Sequence, residues 1–261
     1  MIAMRCLAIE AGNPTVPPPA ISGACVGVLV PGSPERCSVT GWSELAKVDR
    51  QRDDLLPCIE RALVTAATDP EQIEVVAVSV GPGGFTSIRS AIAAGAMLAS
   101  AAAARVGRPV PCIGVPSVLS AWFGWRVTIG TGLAVPACAV ALASKADTIF
   151  AAMFPAIEAG RAADMAVGAA GEARIVRAAE AEMWLRGAAG GVLLADAHLP
   201  EGFARAAAVC GVRVLPLSQT PASCLAAAAV CGRCEPHELA AIYGREPEAV
   251  TLWRQRHGPR V

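Results

Sequence analysis

Three groups of residues have types and spacings that could do chemistry. The first is Gly81-Pro82-Gly83-Gly84-Phe85-Thr86-Ser87-Ile88-Arg89, which joins an apolar run to a helical pattern. Its glycines permit positive φ and close backbone approach, Pro82 stiffens the turn, and Thr86 can cap the following helix. Free N–H groups at such a terminus favour anions or carbonyl groups, so Gly81, Pro82, Gly83, Gly84, Phe85 and Thr86 form a candidate anion contact. A plain strand-to-helix connection is the alternative. Arg89 opposes the helix macrodipole and therefore calls for an acidic or carbonyl partner, or for a solvated position over apolar surface.

The second group is Cys231-Gly232-Arg233-Cys234, preceded by Cys224 and followed by His237. These four could hold zinc, and the two-residue-spaced pair could cycle as a dithiol. The burial tendency of free cysteine argues instead for core residues near a helix end, and the other cysteines lie scattered among apolar residues. A disulfide framework is not expected at this length. The third group is the set of serines and histidines. No Ser or Cys sits in a Gly-x-Ser-x-Gly turn, and His198, His237 and His257 have no triad context, so a nucleophilic hydrolase is disfavoured.

Other functions are bounded by composition. With 22 basic and 22 acidic side chains there is no overall field to hold a phosphate backbone. Trp42, Trp122, Trp125, Trp184 and Trp253 lack interleaved Lys and Arg, so packing in a core or between lobes is expected rather than base stacking. A 54% hydrophobic, 17% charged chain of 261 residues is globular, with one large core or two small ones. From 109 to 144 the only charge is Arg126, yet prolines and glycines cut the stretch, so buried strands joined by turns are expected rather than a membrane span. The first residues lack the basic start and longer apolar run of a signal peptide, and a cytoplasmic protein is expected.

The elements that must position these residues alternate. Apolar runs at 6–9, 24–30, 75–80, 110–115, 134–143, 148–154, 192–195 and 212–217 read as strands separated by helical patterns, an α/β layout. A helix starting at Asp53 or Asp54 carries the stripe Leu55, Leu56, Ile59, Ala62 and Leu63, with Pro57 in its first turn. A second, from about 87 to 104, is mostly Ala and Gly and can approach another backbone closely. The proline-rich stretch 13–19 reads as a loop. The organisation expected is a first lobe over 1–108, a smaller lobe over 109–218, a returning helix and terminal strand (239–245) within 219–253, and a tail over 254–261.

The run VVAVSVGPGGFTSIRSAIAAGAMLASAAAARVGRPVPCIGVPS, residues 75–117, resembles the TsaB family's strand, Gly-Pro-Gly-Ser-Phe-Thr-Gly-x-Arg turn, alanine-rich helix and Gly-Val-Ser-Ser segment. Leu7-Ala8-Ile9-Glu10, Leu55-Leu56-Pro57 and Ile242-Tyr243-Gly244-Arg245 resemble other family segments in the same order. The resemblance implies a two-lobed actin-like fold (ASKHA, sugar-kinase type) with mixed sheets flanked by helices. It implies a non-catalytic scaffold for threonylcarbamoyl transfer to N6 of adenosine 37 of tRNA, paired with a TsaD-like catalytic subunit and a TsaE-like ATPase. ATP would be used by the complex, with no cofactor expected on this chain, and tRNA would be engaged indirectly. A homodimer stands beside the heteromeric pair as an alternative. The pairing surface implied consists of Leu55, Leu56, Ile59, Leu63, Ile88, Arg89, Ala91, Ala94, Gly95 and Leu98.

The catalytic relative TsaD carries a histidine metal motif after the next strand, where this chain reads Val115-Pro116-Ser117-Val118-Leu119-Ser120. Three family features also differ. Glu10-Ala11-Gly12 stands where the first strand usually ends Asp-Thr-Ser, which puts nucleotide binding in doubt. Gln51 replaces the usual His before the Leu-Leu-Pro helix, and 143–150 lacks the Asp and Gly of the second-lobe strand pair.

Overall fold

Runs of Val, Ile, Ala and Cys that are apolar on both sides of the strand need cover on both faces, and the chain provides it with two five-stranded mixed sheets and helices in three layers. The computed structural model describes residues 2–12, 22–45, 54–130, 133–144, 147–159, 173–243, 253 and 256–258. The 13–19 loop, Gln51, residues 244 and 245 of the expected terminal strand and most of the 254–261 tail fall outside these residues.

The first sheet contains β1 (Met4–Glu10), β2 (Gly23–Leu29), β3 (Ser38–Glu44), β4 (Val75–Gly81) and β5 (Cys112–Pro116), in the order β3-β2-β1-β4-β5. The first three pair antiparallel, and β1, β4 and β5 run parallel. The second sheet contains β6 (Cys138–Ala143), β7 (Thr148–Phe154), β8 (Arg174–Arg177), β9 (Val192–Ala195) and β10 (Arg213–Pro216), in the order β10-β9-β6-β7-β8.

Strand alternation sorts the side chains. In β1, Leu7 and Ile9 face α1 (Leu55–Thr65) and α2 (Phe85–Val106), which cover the outer side of the first sheet. Cys6 and Ala8 face the opposite way, onto α3 (Ser117–Ile129) and α6 (Pro221–Ala228). The same core continues into Cys138, Val140 and Phe154 of the second sheet, so α3 and α6 are shared between the lobes. The far side of the second sheet is covered by α4 (Ala181–Leu185) and α5 (Glu201–Val209).

Several expectations are corrected. The 109–144 stretch is not strands and turns alone, because α3 occupies 13 of its residues. Residues 117–126 of that helix are all buried, so its apolar character has no one-sided stripe to reveal a helical period. The lobe boundary at 107–109 falls inside the first sheet, since β5 pairs with β4. The edge strands β3 and β8 carry too few buried apolar residues to stand out in the sequence. Residues 239–243 form no strand. They run as a strap along the first sheet, with the Ile242 N–H donating to Val80 O at 2.7 Å. The strap begins where Cys234 and Cys112 exchange backbone hydrogen bonds of 2.9 Å. Trp122 and Trp125 are core residues, whereas Trp42 and Trp253 are exposed.

Trp122 stacks on Phe154 of β7 at 5.1 Å and meets Phe123 edge-on at 4.8 Å, joining α3 to the second sheet. Trp122→Ala should cost about 3–5 kcal/mol. Because one core serves both lobes, thermal unfolding followed by near-UV and far-UV circular dichroism should remain a single coincident transition at lower temperature.

Candidate functional site

The 81–84 turn closes over the end of β1. Gly81 has φ +100°, and a Cβ on Gly83 would fall 1.8 Å from Gly12 O, so no other residue fits there without moving the backbone. The Gly84 N–H donates to Gly12 O at 2.7 Å. Gly84, not Thr86, is the N-cap, and α2 starts two residues earlier than its sequence pattern suggests. With Gly84 committed to Gly12, the turn works as a seal on β1 rather than as an open anion cradle. Pro82 is half-buried, and Phe85 and Thr86 are exposed.

Burial redistributes the pairing residues read from the sequence. Leu55, Ile59, Leu63, Ile88, Ala91, Ala94 and Gly95 lie in the chain's own core and cannot meet a partner. The small residues of α2 serve its approach to the sheet, where a Cβ on Gly95 would fall 2.5 Å from Val78 Cγ2. Leu98 is partly buried against the same core. Of the ten, Leu56 and Arg89 face outward.

The outward surface consists mainly of residues the stripe analysis passed over. On α2, Phe85, Arg89, Ala93, Met97 and Ala101 recur every four residues and are all exposed. On α1, Leu56, Glu60 and Val64 form a second such row. Met97, Leu56 and Val64 are 54%, 49% and 74% exposed. At the start of α2, Tyr243 of the strap packs its ring 5.4 Å from that of Phe85, and the Arg89 guanidinium lies 5.1 Å over the same ring. Among the described residues Arg89 has no ion-pair partner. The signal for this row was present in the sequence, as the i, i+4 positions complementary to the buried face.

A second constellation lies beneath the turn. Glu10 ends β1 on the face turned toward α3 and α6, and it is 1% exposed. The Gly12 N–H donates to its Oε1 at 2.9 Å, and the Ser120 hydroxyl to Oε2 at 2.9 Å. Ser120 Oγ lies 3.0 Å from Ser223 Oγ, and Ser79 Oγ lies 3.2 Å from Ser117 Oγ. Burial pushes the Glu10 carboxyl above the usual carboxylate range, while hydrogen bonds from Gly12, Ser120 and Ser79 draw it part of the way back. No histidine joins these serines, and the three described histidines are all exposed.

The cysteine group does not gather. Among the described residues no three or more His, Cys, Asp or Glu side chains stand where they could hold a metal ion. Cys224 Sγ faces Ile9 O under the sheet, and Cys234 Sγ faces Cys112 O at its edge. Burial pushes the Cys231 thiol up to about 11 and raises Cys234 as well, so both stay protonated near neutral pH. That removes the thiolate on which a dithiol cycle depends.

The family model of TsaD, tRNA N6-adenosine threonylcarbamoyltransferase, matches residues 48–173, just under half of the chain. No curated protein matches it. Among solved structures, the chain is similar to a Pseudomonas aeruginosa protein described as uncharacterized with similarity to peptidase YEAZ, at 19% identity and a TM-score of 0.57, covering 93% of this chain and 100% of that one. It is also similar to YeaZ from Pseudomonas aeruginosa, at 16% identity and a TM-score of 0.54, covering 92% and 99%. At these identities the structural likeness establishes the fold. Together with the family match, it bears out the TsaB-like resemblance carried by the 81–89 turn.

A carboxyl whose pKa is raised by folding contributes its full stability below the unfolded value, near 4.3, and that contribution is lost as pH rises through the folded value. Glu10→Gln removes this dependence. The melting temperature of the Gln variant relative to the parent should therefore climb between pH 4 and pH 8, measured by differential scanning calorimetry; a pH-independent difference would contradict the assignment.

Proposed function

We propose that this TsaB-like chain is a non-catalytic scaffold subunit for threonylcarbamoyl transfer to N6 of adenosine 37 of tRNA, working in the cytoplasm beside a TsaD-like catalytic subunit and a TsaE-like ATPase that consumes ATP. The observation that carries this reading is α2. It is 22 residues long and built mainly of Ala, Ile, Leu and Met, yet only its sheet-facing positions are buried. Its inner side is occupied by the sheet. Its outer side presents an exposed, mostly apolar row from Phe85 to Ala101 that carries Arg89; among the described residues the strap's Tyr243 meets it at Phe85. An exposed apolar surface on a helix of this length suits a protein contact.

The row geometry supports a helical partner. Residues four apart form a ridge, and ridges of this kind interdigitate with a second helix at about −50°. The α1 row, Leu56, Glu60 and Val64, lies beside it on the same side of the first sheet. Apolar burial drives such an association at about 25 cal/mol per Å² before entropic costs. Arg89 suits an acidic group on the partner, which also resolves its unfavourable place in the first turn of the helix. The absence of histidines at 115–120 supports leaving the chemistry to the partner.

The test uses exposed positions, because a change at buried Ala94 would report on folding instead. Leu56→Asp and Met97→Glu should each weaken pairing with the cognate TsaD homologue at least tenfold, about 1.4 kcal/mol, in a titration by isothermal calorimetry. As surface changes they should leave stability within about 0.5 kcal/mol. Pairing that survives both changes, or adenosine modification in a reconstituted mixture that is unchanged when this chain is omitted, would overturn the reading.

A further inference from the structure

The spacing of Cys231 and Cys234 is that of a dithiol pair, but the fold separates them. Cys231 packs against the core shared by the two lobes, on the inner side of the first sheet, whereas Cys234 packs against the outer cluster formed with α1 and α2. The residue that Cys234 meets is Cys112, the first residue of β5. β5 ends the first sheet on this side, and the strap takes up its free edge at that point. Each of the two residues donates its N–H to the carbonyl of the other at 2.9 Å.

This is the hydrogen-bonded pair of an antiparallel ladder, in which directly opposed Cα atoms lie about 5.5 Å apart and the two side chains leave on the same face. A disulfide asks for a Cα separation of roughly 4.4–6.8 Å, so the backbone is already placed for one. Both side chains lie on the outer side of the sheet. Cys112 is fully buried there, Cys234 is half-buried, and Cys234 Sγ lies 3.6 Å from Cys112 O. Burial pushes the Cys112 thiol up to about 12, and the neighbouring Cys234 adds to the rise. Both residues are free thiols in this structure.

We infer that Cys112 and Cys234 are a cross-linking pair: under oxidising conditions they form a disulfide that staples the strap to β5. The co-reactant is a low-molecular-weight disulfide. The Cys234 thiolate, the more accessible of the two, attacks one of its sulfurs and expels a first small thiolate. The Cys112 thiolate then attacks the Cys234 sulfur and expels the second. Two protein thiols are oxidised, one small disulfide is reduced to two thiols, and the two protons released pass to them. Raised pKa values set the pace. Little thiolate exists near neutral pH, so the link closes slowly, and thiols of high pKa leave poorly, so it also opens slowly. The pair is therefore a staple, not a rapid dithiol cycle. The loop it closes runs from β5 through the second lobe and α6, and a cross-link over so long a loop restricts the unfolded chain strongly. It also fixes the near end of the strap whose far end lays Tyr243 against Phe85. The inference is independent of which partner covers α2.

The experiment treats the reduced, folded full chain with oxidised glutathione, blocks the remaining thiols with a maleimide, and maps the disulfides by mass spectrometry after digestion without reductant. The expected product is a peptide joining Cys112 to Cys234, reversed by dithiothreitol and absent from Cys234→Ala, while Cys231→Ala forms it at the parent's rate. The linked protein should melt several degrees above the reduced one, and linking should speed up as the pH is raised from 7 to 9. No cross-link, a peptide joining Cys231 to Cys234, a glutathione adduct on Cys234 that never resolves, or a linked protein no more stable than the reduced one overturns the inference. The map is read on the parent chain and so does not depend on either variant folding.

Discussion

Burial of α3 and α6 between the two sheets is the constraint on which the rest of the molecule depends. Neither lobe has a closed core of its own on that side: Cys6, Ala8, Val75 and Ala77 of the first sheet and Cys138, Val140 and Phe154 of the second share Trp122, Phe123 and Leu225. This arrangement frees the opposite face of the first sheet for α1 and α2, whose inner sides are satisfied by the sheet together with Cys234 and Leu239 of the strap. The outer sides are then left over, and they are apolar. The surface proposed for pairing is in this sense a by-product of where the cores lie.

The shared layer also explains why polar groups concentrate at one point. Where β1 and β4 end and α3 and α6 begin, backbone donors and acceptors have no strand or helix partner of their own, and side chains must satisfy them. Glu10 does so for the Gly12 N–H, Ser223 for Thr220 and Gln219 for Ser117 O, at 2.9 Å, while Ser120 ties Glu10 to Ser223 and Ser79 pairs with Ser117. A cluster joined to four elements fixes their relative positions more narrowly than apolar packing does, because directional bonds fail when one member shifts.

Legibility in the sequence followed the amount of contrast each element carries. Strands such as β4 and β9 read correctly because short buried runs are bounded by turn residues. The helix α3 did not, since being buried on all sides removes the polar half of the pattern. The candidate pairing stripe was misassigned for a related reason: Leu55, Ile59 and Leu63 form the most regular apolar row in α1, and such rows mark a helix's own core before they mark a partner. The exposed rows on α1 and α2 became readable only once the sheet side was known. The turn at 81–84 was legible as a motif, but its contact with Gly12 depends on residues some 70 positions apart and has no local signal.

The strap at residues 234–243 and the helix α6 lie more than a hundred residues after β5, yet they complete the first sheet's inner face and the seat of the 81–84 turn. During synthesis, β1 to β5 leave the ribosome well before these segments exist, and domains otherwise fold from the N-terminus as they emerge. For this chain the inner face of the first sheet, met by α3 as soon as it follows β5, still lacks α6 until residues 221–228 are made. These contacts join segments far apart in the sequence, and contacts of that kind slow folding.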